Sequence, residues 1–184
     1  IEVFIHGAIC VSYSGQCLMS SMLGDRSGNR GRCAQPCRQS YKLINKTTGK
    51  IINVNGNYLL SPKDLCSIEN IEKILDTGVK SLKIEGRMKR PEYVAVVTSR
   101  YRKAIDNYIN NKITTDKKTL KEDLEAIFNR KFTSGYLMSK NGSDIINLDK
   151  PNNVGVKVGE VLSFNLKKNK LKIKLSGKLS KGDG

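Results

Sequence analysis

The fold class follows from residues 81–108, which read SLKIEGRMKRPEYVAVVTSRYRKAIDNY. The run Ser81–Ile84 is typical of a short strand. Pro91 suits the first turn of a helix, because its φ is already helical and no amide donor is needed there. Apolar residues then recur at every third or fourth position, as on the buried face of a helix. They are Val94, Val97, Tyr101, Ala104, Ile105 and Tyr108. The segment predicts a strand followed by a long helix.

The same order of strand and helix occurs earlier in the chain. Residues 1–5 read as a buried strand, and Ser67 is a suitable N-cap for a helix from Ile68 to about Thr77, which Gly78 ends. Strands that alternate with helices are typically parallel and joined by crossover helices. We therefore predict an α/β domain over residues 1–150.

Shorter elements are predicted around these. Residues 41–44 and 51–54 alternate on either side of a turn, which indicates a hairpin. Residues 58–60 indicate a short strand, and Asp116 is the predicted N-cap of a further helix.

The pattern changes after residues 151–153, which read as a linker. In residues 171–175 every second residue is apolar, the period of a half-buried strand. We predict that residues 151–184 begin a small β domain.

Polar or thiol groups follow three of the predicted strands, at residues 6–10, 63–66 and 85–87. Chemistry in α/β folds is found at the carboxyl ends of the strands. His6 and Glu85 are therefore the candidate catalytic residues. Each also has a structural interpretation, His6 as a hydrogen-bonded group and Glu85 as the ion-pair partner of a neighbouring cation.

The five cysteines are clustered rather than scattered. They are Cys10, Cys17, Cys33, Cys37 and Cys66, and the first four share one long loop. A disulfide framework is disfavoured by the odd count and by a domain large enough to fold without staples. Four thiolates suit either a structural zinc ion or an iron–sulfur cluster, and their spacing does not separate the two.

The chain is strongly basic. It contains 33 Lys and Arg residues and 17 Asp and Glu residues, which gives a net charge of +16. Four arginines lie between residues 26 and 38, and guanidinium groups suit phosphates. The charge indicates either a polyanion partner such as RNA or a solvated basic surface.

Composition also excludes some classes of protein. The single histidine excludes a zinc site built from several histidines. No apolar run approaches the ~20 residues of a membrane span. The first residues do not resemble a signal peptide, so we expect a cytoplasmic protein without a membrane partner. Because the chain begins within a strand and without Met, we expect a fragment.

Four segments together resemble the collagenase-like peptidase family U32. They are residues 2–20 (EVFIHGAICVSYSGQCLMS), 29–38 (NRGRCAQPCR), 61–66 (SPKDLC) and 81–89 (SLKIEGRMK), and residues 132–136 (FTSGY) are a weaker fifth. The resemblance implies a TIM-barrel-like domain, of which this chain holds the later strands, followed by a small β-barrel-like domain.

The same resemblance implies two activities. Some members are named as peptidases or collagenases. Others add a hydroxyl group to a tRNA uridine or a rRNA cytidine, with prephenate as a helper metabolite, and a further branch hydroxylates the ubiquinone ring. In the hydroxylating branches four cysteines hold a four-iron four-sulfur cluster. Carried over by position, the ligands are Cys10, Cys17, Cys33 and Cys66, with Cys37 as the alternate.

The leading hypothesis is iron–sulfur-dependent hydroxylation of an RNA nucleobase. The cations expected to bind the RNA are Arg26, Arg30, Arg32, Arg38, Arg87, Lys89 and Arg90. The first alternative is a peptidase acting on a peptide or collagen. The second is a non-catalytic module that binds RNA or a protein partner. We expect the full-length protein to be an enzyme and the fragment alone to be inactive.

Overall fold

The computed structural model describes residues 1–13, 15–111, 116–139, 142–177 and 179–180. The chain divides into two compact units, Ile1–Val154 and Gly155–Gly184. The strands of the first unit are β1 (Glu2–Ala8), β2 (Leu43–Ile44), β3 (Ile51–Ile52), β4 (Asp64–Cys66), β5 (Ser81–Ile84) and β6 (Phe132–Thr133). Its α-helices are α1 (Met19–Gly24), α2 (Ile71–Asp76), α3 (Pro91–Ile109) and α4 (Lys117–Ile127).

The main sheet has four strands in the order β5-β1-β4-β6. Strand β1 runs parallel to β5, and β4 runs parallel to β6. Strands β1 and β4 are antiparallel, with His6 opposite Cys66. The predicted mixture of helices and strands with parallel pairing is confirmed, and the strands within the described ranges form an open sheet rather than a closed barrel.

The antiparallel pairing of β1 with β4 corrects the expectation of parallel strands throughout. Parallel neighbours need a crossover connection of a dozen or more residues, usually a helix that spans the sheet. Between β1 and β4 the described chain holds only the six-residue α1, two short 3₁₀ turns and the β2–β3 hairpin. Without a crossover helix, the chain re-enters the sheet in the opposite direction.

Helices α2, α3 and α4 bury their apolar faces in one core together with the sheet. The core includes Ile5 from β1, Ile71 from α2, Val97 and Tyr101 from α3, and Leu124 from α4. The predicted stripe of α3 is correct at its centre, where Val97, Tyr101 and Ala104 are buried. It is wrong at its edges, because Val94 and Tyr108 remain exposed.

Local signals for the helix ends are largely confirmed. Helix α3 begins at Pro91, and Asp116 caps α4 by accepting a hydrogen bond of 3.0 Å from the amide of Lys118. The helix predicted after Ser67 is a 3₁₀ turn, Ile68–Asn70, that continues into α2. The strand predicted at residues 58–60 is wrong, because residues 59–60 form a turn that leads into β4.

The second unit contains one antiparallel hairpin, formed by β7 (Gly159–Asn165) and β8 (Lys170–Leu175). Val161 pairs with Ile173, and a bulge lies between Val161 and Ser163. The strand predicted from the alternation of residues 171–175 is present, although all its side chains are exposed. Throughout the described ranges, no helix is both long and apolar enough to cross a membrane.

Candidate functional site

Four of the five thiols line one cavity of about 530 Å³ in the loop that follows β1. The cavity is bordered by Cys10, Cys17, Cys33 and Cys37, together with Tyr13 and Met19. Its size falls within the range of roughly 300–1,000 Å³ that is typical of small-molecule and cofactor sites. The long loop therefore folds back on itself and brings sulfur atoms from both its ends to one place.

Hydrogen bonds hold this loop in shape. The hydroxyl of Ser20 on α1 accepts a bond of 2.9 Å from the amide of Ala34. The guanidinium of Arg87 donates a bond of 2.6 Å to the carbonyl of Gly31. Gly31 has a φ of +70°, and a Cβ at that position would lie 3.0 Å from the Arg87 guanidinium. Arg87 therefore ties the cysteine loop to the turn after β5.

The thiols lie close enough to influence one another's charge. Burial raises the pKa of Cys10, and neighbouring Cys33 and Cys17 raise it further. Burial also raises the pKa of Cys37, whereas the nearby guanidinium of Arg38 lowers it. The pKa of both thiols is raised overall, and the guanidinium of Arg38 offsets part of the cost of forming the thiolates that bind metals.

The loop is arranged around a cavity and not around the position of one small ion. Within the described ranges, no three His, Cys, Asp or Glu side chains are grouped so that they could hold a metal ion. Zinc–sulfur bonds of about 2.3 Å in a tetrahedron would place thiolate sulfurs within about 4 Å of each other. The four thiols therefore border one cavity without being positioned, in the described ranges, as the ligands of a single ion.

Cys66 lies apart from the other thiols. It occupies β4 opposite His6, and its side chain is buried in the hydrophobic core. The hydroxyl of Tyr101 is 3.9 Å from its sulfur, and burial raises the pKa of the thiol to about 11. The structure thus brings together the ligand set that contains Cys37, and it does not bring Cys66 to the cavity.

The contacts of the two candidate catalytic residues, His6 and Glu85, are those of residues that support the fold. The ring of His6 is buried, and its Nδ1 lies 3.3 Å from the hydroxyl of Tyr101. The carboxylate of Glu85 accepts a bond of 2.7 Å from the backbone amide of Arg87. Gly7 lets β1 approach the end of β5 closely, because a Cβ at this position would lie only 2.7 Å from the Cβ of Glu85. Its φ of +121° is also one that other residues rarely adopt. The contacts of His6 and Glu85 thus hold together the end of the sheet where β1 and β5 meet.

The predicted RNA-binding cations divide into two groups. Five of them are exposed: Arg26, Arg30, Arg32, Arg87 and Arg90. Arg38 is only 9% exposed, and it donates hydrogen bonds to the hydroxyl of Ser61 and to the carbonyl of Pro62. Lys89 is half-buried, with its ammonium 2.8 Å from the centre of the Phe128 ring. Arg38 is therefore buried and Lys89 is partly covered, so neither is as open to a polyanion as the five exposed arginines.

A comparison with known families identifies the fold family. The sequence model of a protein family, described as Peptidase family U32, matches residues 1–147. The chain belongs to peptidase family U32. The resemblance inferred from the four sequence segments is therefore confirmed.

Three relatives show the range of names within family U32. A collagenase of Porphyromonas gingivalis is 42% identical over 143 residues, which cover 76% of this chain and 34% of that protein. A tRNA hydroxylation protein of Bacillus subtilis is 48% identical over 112 residues, which cover 59% and 26%. A 23S rRNA 5-hydroxycytidine synthase of Escherichia coli is 37% identical over 191 residues, which cover 100% and 28%. The U32 chain spans about a quarter to a third of these relatives. No solved structure matches it.

Sequence reasoning missed one feature of the U32 chain, a buried ion pair beside the site. The guanidinium of Arg130 contacts the carboxylate of Asp64 at 2.6 Å, and both side chains are buried. Asp64 lies in β4 between a lysine and an apolar residue, within the segment SPKDLC. The signal that could have revealed the pair was the carboxylate of Asp64 in a buried strand. A carboxylate is seldom buried without a positively charged or hydrogen-bonding partner.

The buried His6 predicts that the U32 chain loses stability in mildly acidic solution. Burial lowers the pKa of His6 from 6.5 to about 4, and the ammonium of Lys89 adds to this while the carboxylate of Asp64 opposes it. The unfolded chain therefore binds a proton at His6 as the pH falls below 6.5, whereas the native chain does not until about pH 4. Protonation of the unfolded state favours unfolding, so the free energy of unfolding falls across this window.

The test compares urea unfolding of the unchanged chain and of His6→Gln between pH 7 and about pH 5, above the range in which most carboxylates titrate. His6 is the only histidine, so the variant should show a flatter dependence of stability on pH. An identical slope in both proteins would show that His6 is not the group responsible.

Proposed function

We propose that this U32 chain belongs to a protein that hydroxylates a pyrimidine base of RNA with an iron–sulfur cluster. The observation that carries the proposal is the convergence of four thiols on one cavity, in a loop that also carries exposed arginines. In this proposal the described sheet, with its parallel pairs and packed helices, is the later part of a TIM-barrel-like domain in a longer cytoplasmic protein.

The residues that would hold the cluster are Cys10, Cys17, Cys33 and Cys37. Four cysteine thiolates are the usual ligands of a four-iron four-sulfur cluster, and such clusters tolerate irregular ligand spacing. The set replaces Cys66 by Cys37, because Cys66 lies in the core while Cys37 borders the cavity. When bound, a cluster would supply one-electron redox chemistry. Replacing a ring hydrogen of a pyrimidine by a hydroxyl group removes two electrons, so the reaction also takes an oxygen donor and a two-electron acceptor from outside this chain.

RNA is the proposed partner because of charge and position. The chain carries a net charge of +16. Arg26, Arg30 and Arg32 are exposed on the same loop as the cavity's thiols. The Nε of Arg26 donates a bond of 2.9 Å to the carbonyl of Arg32, so this part of the loop has a defined shape. Exposed guanidinium groups on a shaped loop can follow a phosphate backbone.

Proteolysis has less support in the described residues. A peptidase needs an activated nucleophile or a metal-bound water. The one histidine is buried against Tyr101, and the thiol opposite it, Cys66, has a raised pKa of about 11. Neither group is exposed to a peptide. The collagenase-named relative therefore supports membership of the family and does not by itself support proteolysis by this chain.

Analysis of RNA nucleosides tests the proposed function. Cells that make the protein should contain a pyrimidine nucleoside heavier by one oxygen, and cells that make its Cys17→Ser form should lack it. The matched control is Cys66→Ala, which removes a thiol outside the cavity and should leave the nucleoside present. A hydroxylated nucleoside that persists at full level with Cys17→Ser would contradict the proposal, and release of peptides from gelatin by the unchanged protein would favour the peptidase.

A further inference from the structure

Tyr13 stands out from the other aromatic residues by its exposure. It is 77% exposed, the highest value for any aromatic side chain within the described ranges. Tyr93 and Tyr101 are buried in the core, and the hydroxyls of Tyr41 and Tyr108 are engaged in hydrogen bonds. Among the residues that the structure describes, no packing contact of the Tyr13 ring accounts for an aromatic side chain at this position.

Tyr13 is one of the residues that border the cysteine cavity. Tyr13 lies between Cys10 and Cys17 in sequence and borders the same cavity as both thiols. Its carbonyl accepts a hydrogen bond of 3.2 Å from the amide of Gln16. Among the described residues, no aromatic ring or cation stacks on the Tyr13 ring. Tyr13 thus presents an exposed aromatic face from a residue that borders the same cavity as the thiols.

The surroundings of Tyr13 indicate what that face would meet. The exposed arginines of the same loop, Arg26, Arg30 and Arg32, favour a polyanion. A polyanion that also carries flat rings is a nucleic acid, and stacking of a base on an aromatic side chain does not depend on the base's identity. A base that undergoes chemistry must leave its own stack, and it then needs a new surface on which to lie.

We propose that Tyr13 is the stacking platform for the RNA base that is presented to the cysteine cavity. The inference rests on the proposed function, and it assigns a positioning residue to it. Tyr13 holds the base by its ring face, while the arginines of the loop hold the phosphates. The hydroxyl of Tyr13 has no part in this role, so phenylalanine should serve as well as tyrosine.

Fluorescence provides a direct readout, because the chain contains no tryptophan. The substitution Tyr13→Trp places a single reporter at the cavity, and Tyr108→Trp places the matched control near the end of α3. Both forms of the 184-residue chain, kept under reducing conditions, are titrated with end-labelled oligouridylate and with heparin, a polyanion without bases. Anisotropy of the RNA label reports binding separately from the emission of the introduced indole.

We expect oligouridylate to quench the emission of the Tyr13→Trp form but not that of the Tyr108→Trp form, and heparin to quench neither. The variant Tyr13→Ala should bind the RNA more weakly by about 5- to 150-fold, whereas Tyr13→Phe should bind within about twofold of the unchanged chain. RNA that binds the Tyr13→Trp form without changing its emission, or heparin that quenches this form equally, overturns the stacking role and leaves the proposed function standing. Failure of the unchanged chain to bind RNA at low salt overturns both.

Discussion

Replacing Asp64 by alanine is expected to lower the free energy of unfolding by about 3–5 kcal/mol, the usual effect of removing one partner of a buried ion pair. The side chains of Asp64 and Arg130 are only 4% and 8% exposed. The Nε of Arg130 lies 3.0 and 3.2 Å from the two carboxylate oxygens, and the backbone amide of Arg130 donates a further bond of 3.2 Å. Without Asp64, the guanidinium remains buried with no counter-charge.

The surroundings of the pair increase the expected effect. Burial and the nearby charge of Arg130 lower the pKa of Arg38 to about 10, whereas Asp64 raises it. Burial likewise lowers the pKa of Lys89 to about 8, and Asp64 again opposes the change. Asp64 is thus a carboxylate that offsets two buried cations, Arg130 and Arg38, and the half-buried Lys89.

Urea unfolding of matched variants measures this contribution. The control is Asp149→Ala, which removes the partner of Lys131, the residue next to Arg130. Both members of that pair are exposed, so the control should lose no more than about 1 kcal/mol. The slope of free energy against urea concentration should stay the same in all three proteins, which keeps the comparison valid. Equal losses in the two variants would show that the buried pair has no special weight.

Serine at position 17 or 37 in place of the cysteine is expected to abolish binding of iron and sulfide. The cluster requires four thiolates, and a serine hydroxyl stays protonated and is a harder, weaker ligand for iron in such a site. The protein is reconstituted without air, and iron and acid-labile sulfide are measured per chain together with the visible absorption. The unchanged protein should be brown, and the two variants, Cys17→Ser and Cys37→Ser, should be colourless.

Cys66→Ala is the control that separates the two possible ligand sets. The thiol of Cys66 lies on β4 in the hydrophobic core and not at the cavity, so this variant should retain the full content of iron and sulfide. Its folding is checked by circular dichroism, since the alanine leaves a small cavity in the core. Loss of iron in Cys66→Ala together with full iron in Cys37→Ser would contradict the proposed set. One zinc per colourless chain would contradict the cluster itself.

Features that depend on neighbouring residues were predictable from the sequence. Helix α3 begins at Pro91 because proline's fixed φ and missing amide suit a first helical turn. Asp116 caps α4 because its carboxylate reaches an amide two residues further on. The family was also predictable, since its motifs are strings of adjacent residues between positions 2 and 89.

Features that depend on contacts between distant parts of the chain were not predictable from the sequence. Four arginines between residues 26 and 38 look alike in the sequence, yet only Arg38 is buried, because Ser61 and Pro62 accept its hydrogen bonds. The helical spacing of α3 gave no reason to expect that Val94 and Tyr108 would stay exposed. Both outcomes follow from which parts of the chain pack against each other.

The division is clearest among the cysteines. Their number, their clustering and the kind of cofactor they suit were evident from residue order, because thiol chemistry belongs to the residue and not to the fold. Which four of them meet was not evident. Antiparallel pairing places Cys66 opposite His6 and buries it in the core, while the returning loop carries Cys33 and Cys37 back toward Cys10. Spacing along a chain does not reveal that choice, because a flexible loop can close in many ways until packing and hydrogen bonds select one.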